Sequence, residues 1–119
     1  MRYLAFALTF VCLLSSSIAT AENPVVTQAT NAGIKKCLPE IKDVSDFLIE
    51  NGKSGTHSTW NSKSPNDQIF TSVIERNYSD GTIMTSLTVA PVTSGQCATV
   101  YDQIMHFQKS CMSVAKYNF

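Results

Sequence analysis

The sequence predicts an α+β fold in which an N-terminal helix packs on a four-stranded antiparallel meander sheet, with a short helix at the C-terminus. Three observations support this prediction. Apolar residues recur with a helical period from Ile34 to Leu48. Two β-prone runs meet at Asp80-Gly81, which is typical of a hairpin. Further β-prone segments, separated by turns, lie before and after that pair, so a helix and a sheet must share one core.

Residues 1–21 have the features of a cleaved signal peptide and are excluded from the predicted fold. Arg2 precedes an apolar run over residues 4–14, which is too short to span a bilayer. The Ala-Thr-Ala sequence at 19–21 matches a signal-peptidase site. We therefore expect export to a periplasm or the extracellular space, no stable membrane insertion after cleavage, and a single small α+β domain over residues 22–119.

The first helix is predicted from the spacing of its apolar residues. Residues 22–30 are polar and contain an Asn-Pro pair, so we expect a flexible lead-in there. Apolar side chains then recur at intervals of three and four residues from Ile34 to Leu48. Because proline is tolerated only in a first turn, Pro39 predicts either a helix that starts near it or a longer helix that is kinked there.

The centre of the predicted sheet is a β-hairpin over residues 69–91. Asp-Gly favours a type I′ turn, because that turn needs a positive φ at both central residues. With Asp80 and Gly81 in the turn, Tyr78 would pair with Ile83. The N-terminal helix is expected to cover the apolar face of this hairpin. That face would hold Phe70, Ile74, Tyr78, Ile83, Leu87 and Val89.

Two further strands and a helix complete the prediction. Residues 56–61 are β-prone and precede a loop at 63–67, so we expect a strand beside the hairpin. Residues 97–107 fit neither the strand nor the helix period cleanly. We predict a strand, because a fourth antiparallel strand is the simplest continuation after a short turn. Ser110 is a suitable N-cap for a brief helix over 110–116.

One charged residue, Arg76, falls on the apolar face of the hairpin. Buried arginine is usually paired. We therefore expect its guanidinium either to bind a helix carboxylate such as Asp43 or Asp46, or to reach solvent near the sheet edge.

The cysteines after residue 21 are Cys37, Cys97 and Cys111, which predicts one disulfide and one free thiol. In a meander, Cys37 and Cys97 lie at the same end of the sheet, whereas a fourth strand carries Cys111 roughly 33 Å away. Because a disulfide needs Cα atoms within about 7 Å, we predict Cys37–Cys97. Cys97–Cys111 is the alternative if the segment between them folds back, and Cys37–Cys111 needs an early turn.

Charge and motifs argue against several classes of function. Nine Lys and Arg residues balance nine Asp and Glu residues, so we expect no nucleic-acid partner. His57 and His106 lie at no metal-ligand spacing with another His or Cys. The EF-hand, Walker A, dinucleotide-binding and GxSxG patterns are missing. We therefore expect neither a metal nor a cofactor.

The function that the sequence favours is a small exported protein that acts by binding and has no catalytic activity. Its ligand is not specified by any motif, and another envelope or secreted protein, which it binds or inhibits, is the expected partner. The predicted docking surface is the polar face of the hairpin, where short side chains would form a flat surface. That face carries Val73, Glu75, Asn77, Met84, Ser86 and Thr88.

Two other classes of function stay open. An enzyme would use a Cys111 thiol with His106 as its base, or Ser113 with Lys116, which match the S-x-x-K motif without its companion motifs. A structural protein would join copies of the chain through its edge strands or its odd cysteine.

Overall fold

A computed structural model describes residues 22–50 and 53–118, and the predicted leader at 1–21 lies outside this part of the chain. The four strands form one antiparallel sheet in the order β1-β2-β3-β4, and the first two helices pack on one of its faces. The predicted α+β meander is therefore confirmed, with one more helix than expected. The elements are α1 (Pro24–Asn31), α2 (Leu38–Ile49), β1 (Ser54–Trp60), β2 (Phe70–Tyr78), β3 (Gly81–Pro91), β4 (Cys97–Phe107) and α3 (Cys111–Asn118).

The flexible lead-in expected over residues 22–30 is wrong, because this segment forms α1. Asn23 is the N-cap, and its side-chain oxygen accepts a hydrogen bond from the backbone N–H of Val25 at 2.9 Å. Pro24 follows in the first turn, where its missing N–H has no helical partner to lose. The Asn-Pro pair that suggested a loop is thus the start of a helix. Val25 and Ala29 are fully buried, so α1 contributes to the core.

Helix α2 begins at Leu38 and has Pro39 in its first turn, which is the first of the two arrangements expected. Ile41, Ser45 and Leu48 form its buried stripe, at the spacing of three and four residues that predicted the helix. Its last residue is followed by Glu50, which has a positive φ of 51°.

Asn23 also joins the two helices. Its Nδ2 donates to Ser45 Oγ at 2.8 Å and to a carboxylate oxygen of Asp46 at 2.7 Å. Lys42 forms an ion pair with the same carboxylate, one helical turn away. The hydrogen bond from Asn23, followed by the contact with Lys42, lowers the pKa of Asp46 below its ordinary value.

Arg76 of β2 caps the C-terminal end of α2. Its Nη1 donates to the Leu48 carbonyl oxygen at 2.9 Å, and its Nη2 donates to the Glu50 carboxylate at 3.2 Å. The guanidinium carbon also lies 5.0 Å from the ring centre of Tyr78. The expected partner was a carboxylate of the helix body, such as Asp46. The carboxylate that Arg76 binds belongs to Glu50, just beyond the end of α2. There the guanidinium also binds the Leu48 carbonyl oxygen, which has no partner within the helix.

The register of β2 with β3 differs from the predicted one by two residues. Tyr78 pairs with Gly81, so the turn residues are Ser79 and Asp80 rather than Asp80 and Gly81. Neither has a positive φ, so the turn is not type I′. Gly81 is needed for space, because a Cβ there would lie 2.1 Å from the carbonyl oxygen of His106. A shift of two residues leaves each side chain on its predicted face.

The core lies between helices α1 and α2 and one face of β2 and β3. Tyr78 and Ile83, at the end of the predicted apolar face, are not fully buried. The buried hydroxyl groups of the core are paired, as in the hydrogen bond of 3.0 Å between Ser58 and Ser72. The buried apolar residues are Val25, Ala29, Ile34, Cys37, Ile41, Leu48, Ile49, Phe70, Ile74, Leu87 and Val89.

A disulfide joins Cys37 to Cys97, with 5.7 Å between their Cα atoms. It connects the residue before α2 to the first residue of β4, at the end of the sheet where the meander places both. The predicted pairing is thus the one in the structure, and Cys111 is a free, exposed cysteine.

Asn66 ties the connector between α1 and α2 to the loop between β1 and β2. Its Oδ1 accepts hydrogen bonds from the backbone N–H groups of Lys35 and Lys36 at 2.7 and 3.0 Å. Its Nδ2 donates to the Gly33 carbonyl oxygen at 3.1 Å. One side chain therefore satisfies three backbone groups that belong to no helix or strand.

Candidate docking face of the sheet

The side of the sheet opposite to α1 and α2 is defined here as the open face. Side chains alternate between the two faces of a strand. In this sheet the open face carries the odd-numbered residues of β1 and β2 and the even-numbered residues of β3 and β4. The buried core residues of β2 and β3 have the opposite parity, so these side chains point away from the core.

The structure places all six predicted docking residues on the open face. Thr88 is half-buried and the other five are exposed. Because of the corrected register, Glu75 lies opposite Met84 and Val73 lies opposite Ser86. In the predicted register Val73 would instead lie opposite Thr88, which is two residues further along β3. The six side chains still form one group across β2 and β3.

An apolar patch crosses the open face from β2 to β4. It consists of Val73, Met84, Val100 and Ile104, whose residues are 42, 46, 62 and 74% exposed. Met84 lies directly opposite Ile104, and Val73 is a diagonal neighbour of Met84. Val100 lies on the same face, and Asp102 separates it from Ile104. Single exposed apolar residues are common on protein surfaces, but neighbouring ones such as Val73, Met84 and Ile104 indicate a contact surface.

The sequence prediction missed the half of this patch that lies on β4. Residues 97–107 fit neither period cleanly, so the sequence does not indicate which of their side chains would join the docking surface. Once this segment is a strand, the period of two puts Val100, Asp102, Ile104 and His106 on the same side. Alternation was therefore the signal that would have found them.

Polar and acidic side chains lie beside and between the residues of the apolar patch. Asn77 Nδ2 donates to the Glu75 carboxylate at 2.9 Å, and Thr82 Oγ1 donates to Asn77 Oδ1 at 2.8 Å. Asp102 is an exposed carboxylate on β4, opposite Ser86. Within the four strands the open face has no Lys or Arg, so its formal charge comes from Glu75 and Asp102.

Strand β4 is exposed on its other face as well. Tyr101 and Met105 point to the side of the helices but remain 44 and 50% exposed. Tyr101 contacts Phe47 of α2, with 6.3 Å between the ring centres, and Phe47 is itself exposed. The helices thus cover β2 and β3 but leave most of β4 in solvent.

Two shallow clefts lie at the ends of the sheet. One, of about 190 Å³, is at the β2–β3 turn beside Tyr78 and Phe107. The other, of about 280 Å³, lies between Trp60 and Ile69. Both are below the range of roughly 300–1,000 Å³ that is usual for small-molecule sites. A broad, open surface is therefore a better candidate site than either cleft.

The residues of the enzyme hypothesis lie around the end of β4 and the start of α3. His106 is on the open face, and Cys111 is the first residue of α3. The Ser113 backbone N–H donates to Ser110 Oγ at 3.3 Å, so Ser110 has the N-cap role expected for it. In the described part of the chain, no three His, Cys, Asp or Glu side chains are grouped to hold a metal ion.

None of the helices in residues 22–50 and 53–118 is both long enough and apolar enough to cross a membrane. Comparison with protein-family models, curated proteins and solved structures gives no match to this chain. The inference about function therefore depends on the open face and on β4.

Proposed function

We propose that the chain is a small exported binding protein, without catalytic activity, that docks onto another envelope or secreted protein through the open face. The observation that carries this proposal is the apolar patch of Val73, Met84, Val100 and Ile104 on the sheet face opposite to α1 and α2. Strands β2 and β3 beneath it are held by the core on their other side, and β4 is paired with β3 along its whole length, so the docking surface is preformed.

The chemistry of the open face indicates the kind of partner. An interface core is apolar and its rim is polar. The apolar patch supplies the first feature, Glu75 supplies an acidic group beside Met84, and Asp102 supplies a second one between Val100 and Ile104. A complementary partner presents apolar or aromatic side chains at its centre and Lys or Arg at its edge, because opposite charges favour encounter and fix orientation.

Export is supported by the Cys37–Cys97 disulfide as well as by the leader pattern of residues 1–21. Disulfides form and persist in oxidising compartments, such as a periplasm or the extracellular space. A partner exported to the same compartment meets the chain after both have folded.

The test uses two methionine variants that differ mainly in the face of the sheet they occupy. Met84→Lys puts a positive charge in the apolar patch, where it removes an apolar contact and repels the Lys or Arg expected at the partner's rim. Met105→Lys makes the same change on the other face, at a residue of similar exposure (50% against 46%). The immobilised protein captures partners from an envelope or secreted fraction, and the affinity of each variant for the purified partner is then measured by calorimetry.

We expect Met84→Lys to weaken binding by about 10-fold or more, which corresponds to the loss of one strong interface contact. Met105→Lys and Cys111→Ser should bind as the unmodified chain does. Equal binding by Met84→Lys and the unmodified chain would contradict docking through the open face. Loss of binding in Cys111→Ser alone would instead favour a function that depends on the thiol.

A further inference from the structure

We propose that two copies of the chain join edge to edge through β4, as an antiparallel pair in which Ile104 of one copy faces Ile104 of the other. This goes beyond the proposed function, because it concerns the association of the chain with itself and needs no other partner. Four features carry it: a strand edge that nothing in residues 22–50 and 53–118 is seen to cover, backbone groups that point to that edge, a self-complementary sequence and the contrast with the opposite edge.

The two edges of the sheet differ in strand length and in the contacts that other elements make with them. At the β1 edge, Gln28 of α1 donates from Nε2 to the carbonyl oxygen and the Oγ1 of Thr56, at 3.3 and 3.1 Å. Strand β1 is also short, with seven residues. Strand β4 has eleven residues, none of which is Pro, Lys or Gly. Two features that block an exposed edge, short length and a covering side chain, are therefore present at β1 and not found at β4 in the described residues, although β4 carries one carboxylate, Asp102.

The free backbone groups of β4 follow from its pairing with β3. The Gln108 N–H donates to the Asp80 carbonyl oxygen at 3.2 Å, and the Val92 N–H donates to the Gln96 carbonyl oxygen at 2.9 Å. Both bonds continue the β3–β4 register, and both join even-numbered residues. Hydrogen-bonded pairs alternate in an antiparallel ladder, so the even-numbered residues of β4 bond to β3. The odd-numbered residues between 99 and 107 direct their N–H and C=O groups to the open edge.

The sequence of β4 favours a register centred on Ile104 over one centred on Asp102. With Ile104 at the centre, Asp102 of each copy lies opposite His106 of the other, on the open face. This contact between a carboxylate and an imidazole is made twice because the pair is symmetric. With residue 102 at the centre, two carboxylates would face each other, which is unfavourable.

The same register also matches the free backbone groups. It pairs Gln103 with Met105 and Tyr101 with Phe107 of the second copy, which are the odd-numbered residues whose groups point outwards. About eight backbone hydrogen bonds would form along the seam. The aromatic pair lies on the side of the helices, where Tyr101 is exposed in the single copy. The result is a continuous sheet, with the two apolar patches adjacent across the two-fold axis.

Cysteine cross-linking tests this arrangement in the disulfide-bonded protein. In a Cys111→Ser background, Ile104→Cys places two thiols opposite each other at a non-hydrogen-bonded pair. The Cα atoms of such a pair are about 4.5 Å apart, which a disulfide accepts. Val100→Cys is the matched control, because Val100 is an exposed aliphatic residue on the same face of the same strand. Its two copies would be separated by roughly 26 Å in the proposed register.

We expect mild oxidation to convert Ile104→Cys into a covalent dimer at least 10-fold faster than Val100→Cys. Sedimentation of the unmodified chain should show a dimer that dissociates on dilution. Met105→Pro removes an N–H from the open edge without removing a bond to β3, so it should be monomeric. In combination with Ile104→Cys, it should reduce cross-linking to the rate of the control.

Three results would overturn the proposal. These are an unmodified chain that is monomeric at every concentration, equal cross-linking of the two cysteine variants, and a dimer that persists in Met105→Pro. Because these experiments use the purified chain alone, their failure leaves docking of another protein on the open face as a separate question. Failure of the capture experiment likewise leaves the dimer unaffected.

Discussion

Removal of the Cys37–Cys97 disulfide is expected to lower the free energy of unfolding by about 4 kcal/mol. The two cysteines are 60 positions apart. Closing a loop of this length reduces the entropy of the unfolded chain by roughly 14 cal/mol/K, or about 4 kcal/mol at 25 °C. A small domain has a total stability of about 5–15 kcal/mol, so the unbridged chain would remain folded by a narrow margin or unfold.

Urea unfolding of a Cys37→Ala/Cys97→Ala double variant measures this loss. Cys111→Ala is the control, because it removes an exposed cysteine that forms no bridge. It should change stability by less than about 0.5 kcal/mol. The double variant should also show a larger urea dependence, since its unfolded chain exposes more surface. A loss below about 1 kcal/mol, or an equal loss in the control, would refute the assignment of this stability to the cross-link.

Three further predictions concern single side chains. Arg76→Met should lower the free energy of unfolding by about 1–3 kcal/mol, because the C-terminal carbonyl group of α2 loses its charged donor. Glu50→Gln should change it by less than about 0.5 kcal/mol, because Glu50 is exposed and its ion pair is screened. The lowered pKa of Asp46 stabilises the fold at neutral pH, and this contribution is lost as the pH falls from about 4 through the folded-state pKa. Urea unfolding of Asp46→Asn at several acidic pH values should therefore show a weaker pH dependence. Gly81→Ala should destabilise the sheet by about 1–3 kcal/mol, because the new Cβ meets a carbonyl oxygen of β4. Gly55→Ala is its control, since the nearest atom there is 4.0 Å away.

The side chains were sorted correctly between the two faces, because alternation along a strand is a local property of the sequence. The exact hairpin register was not predicted, because Gly81 is required by the approach of His106 on another strand. Nothing in the sequence near the turn contains that constraint. The position of Arg76 is a similar case. Alternation along β2 predicts that Arg76 lies on the face toward the helices. Its partners, however, depend on where α2 ends relative to the sheet.

Helix α1 was missed for a different reason. Its N-cap and first-turn proline were visible in the sequence, but an Asn-Pro pair is equally typical of a turn. The long-range contacts of Asn23 with Ser45 and Asp46 favour the helix in the folded chain. For the candidate site, the residues on β2 and β3 were placed on the correct face. The contribution of β4 was not predicted, because its apolar and polar residues do not show a clean period.

The strands follow one another across the sheet in chain order, and this has a consequence for the time course of folding. Each strand pairs with the next one along the chain, so the sheet forms through contacts of short sequence separation. Docking of α1 and α2 instead joins segments that are far apart, and it is expected to come later. Until then, Phe70, Ile74 and Leu87 are uncovered on a sheet that is already assembled. Refolding should therefore show a transient rise in the fluorescence of an apolar dye, and a steady decrease from the first time point would argue against this order of events.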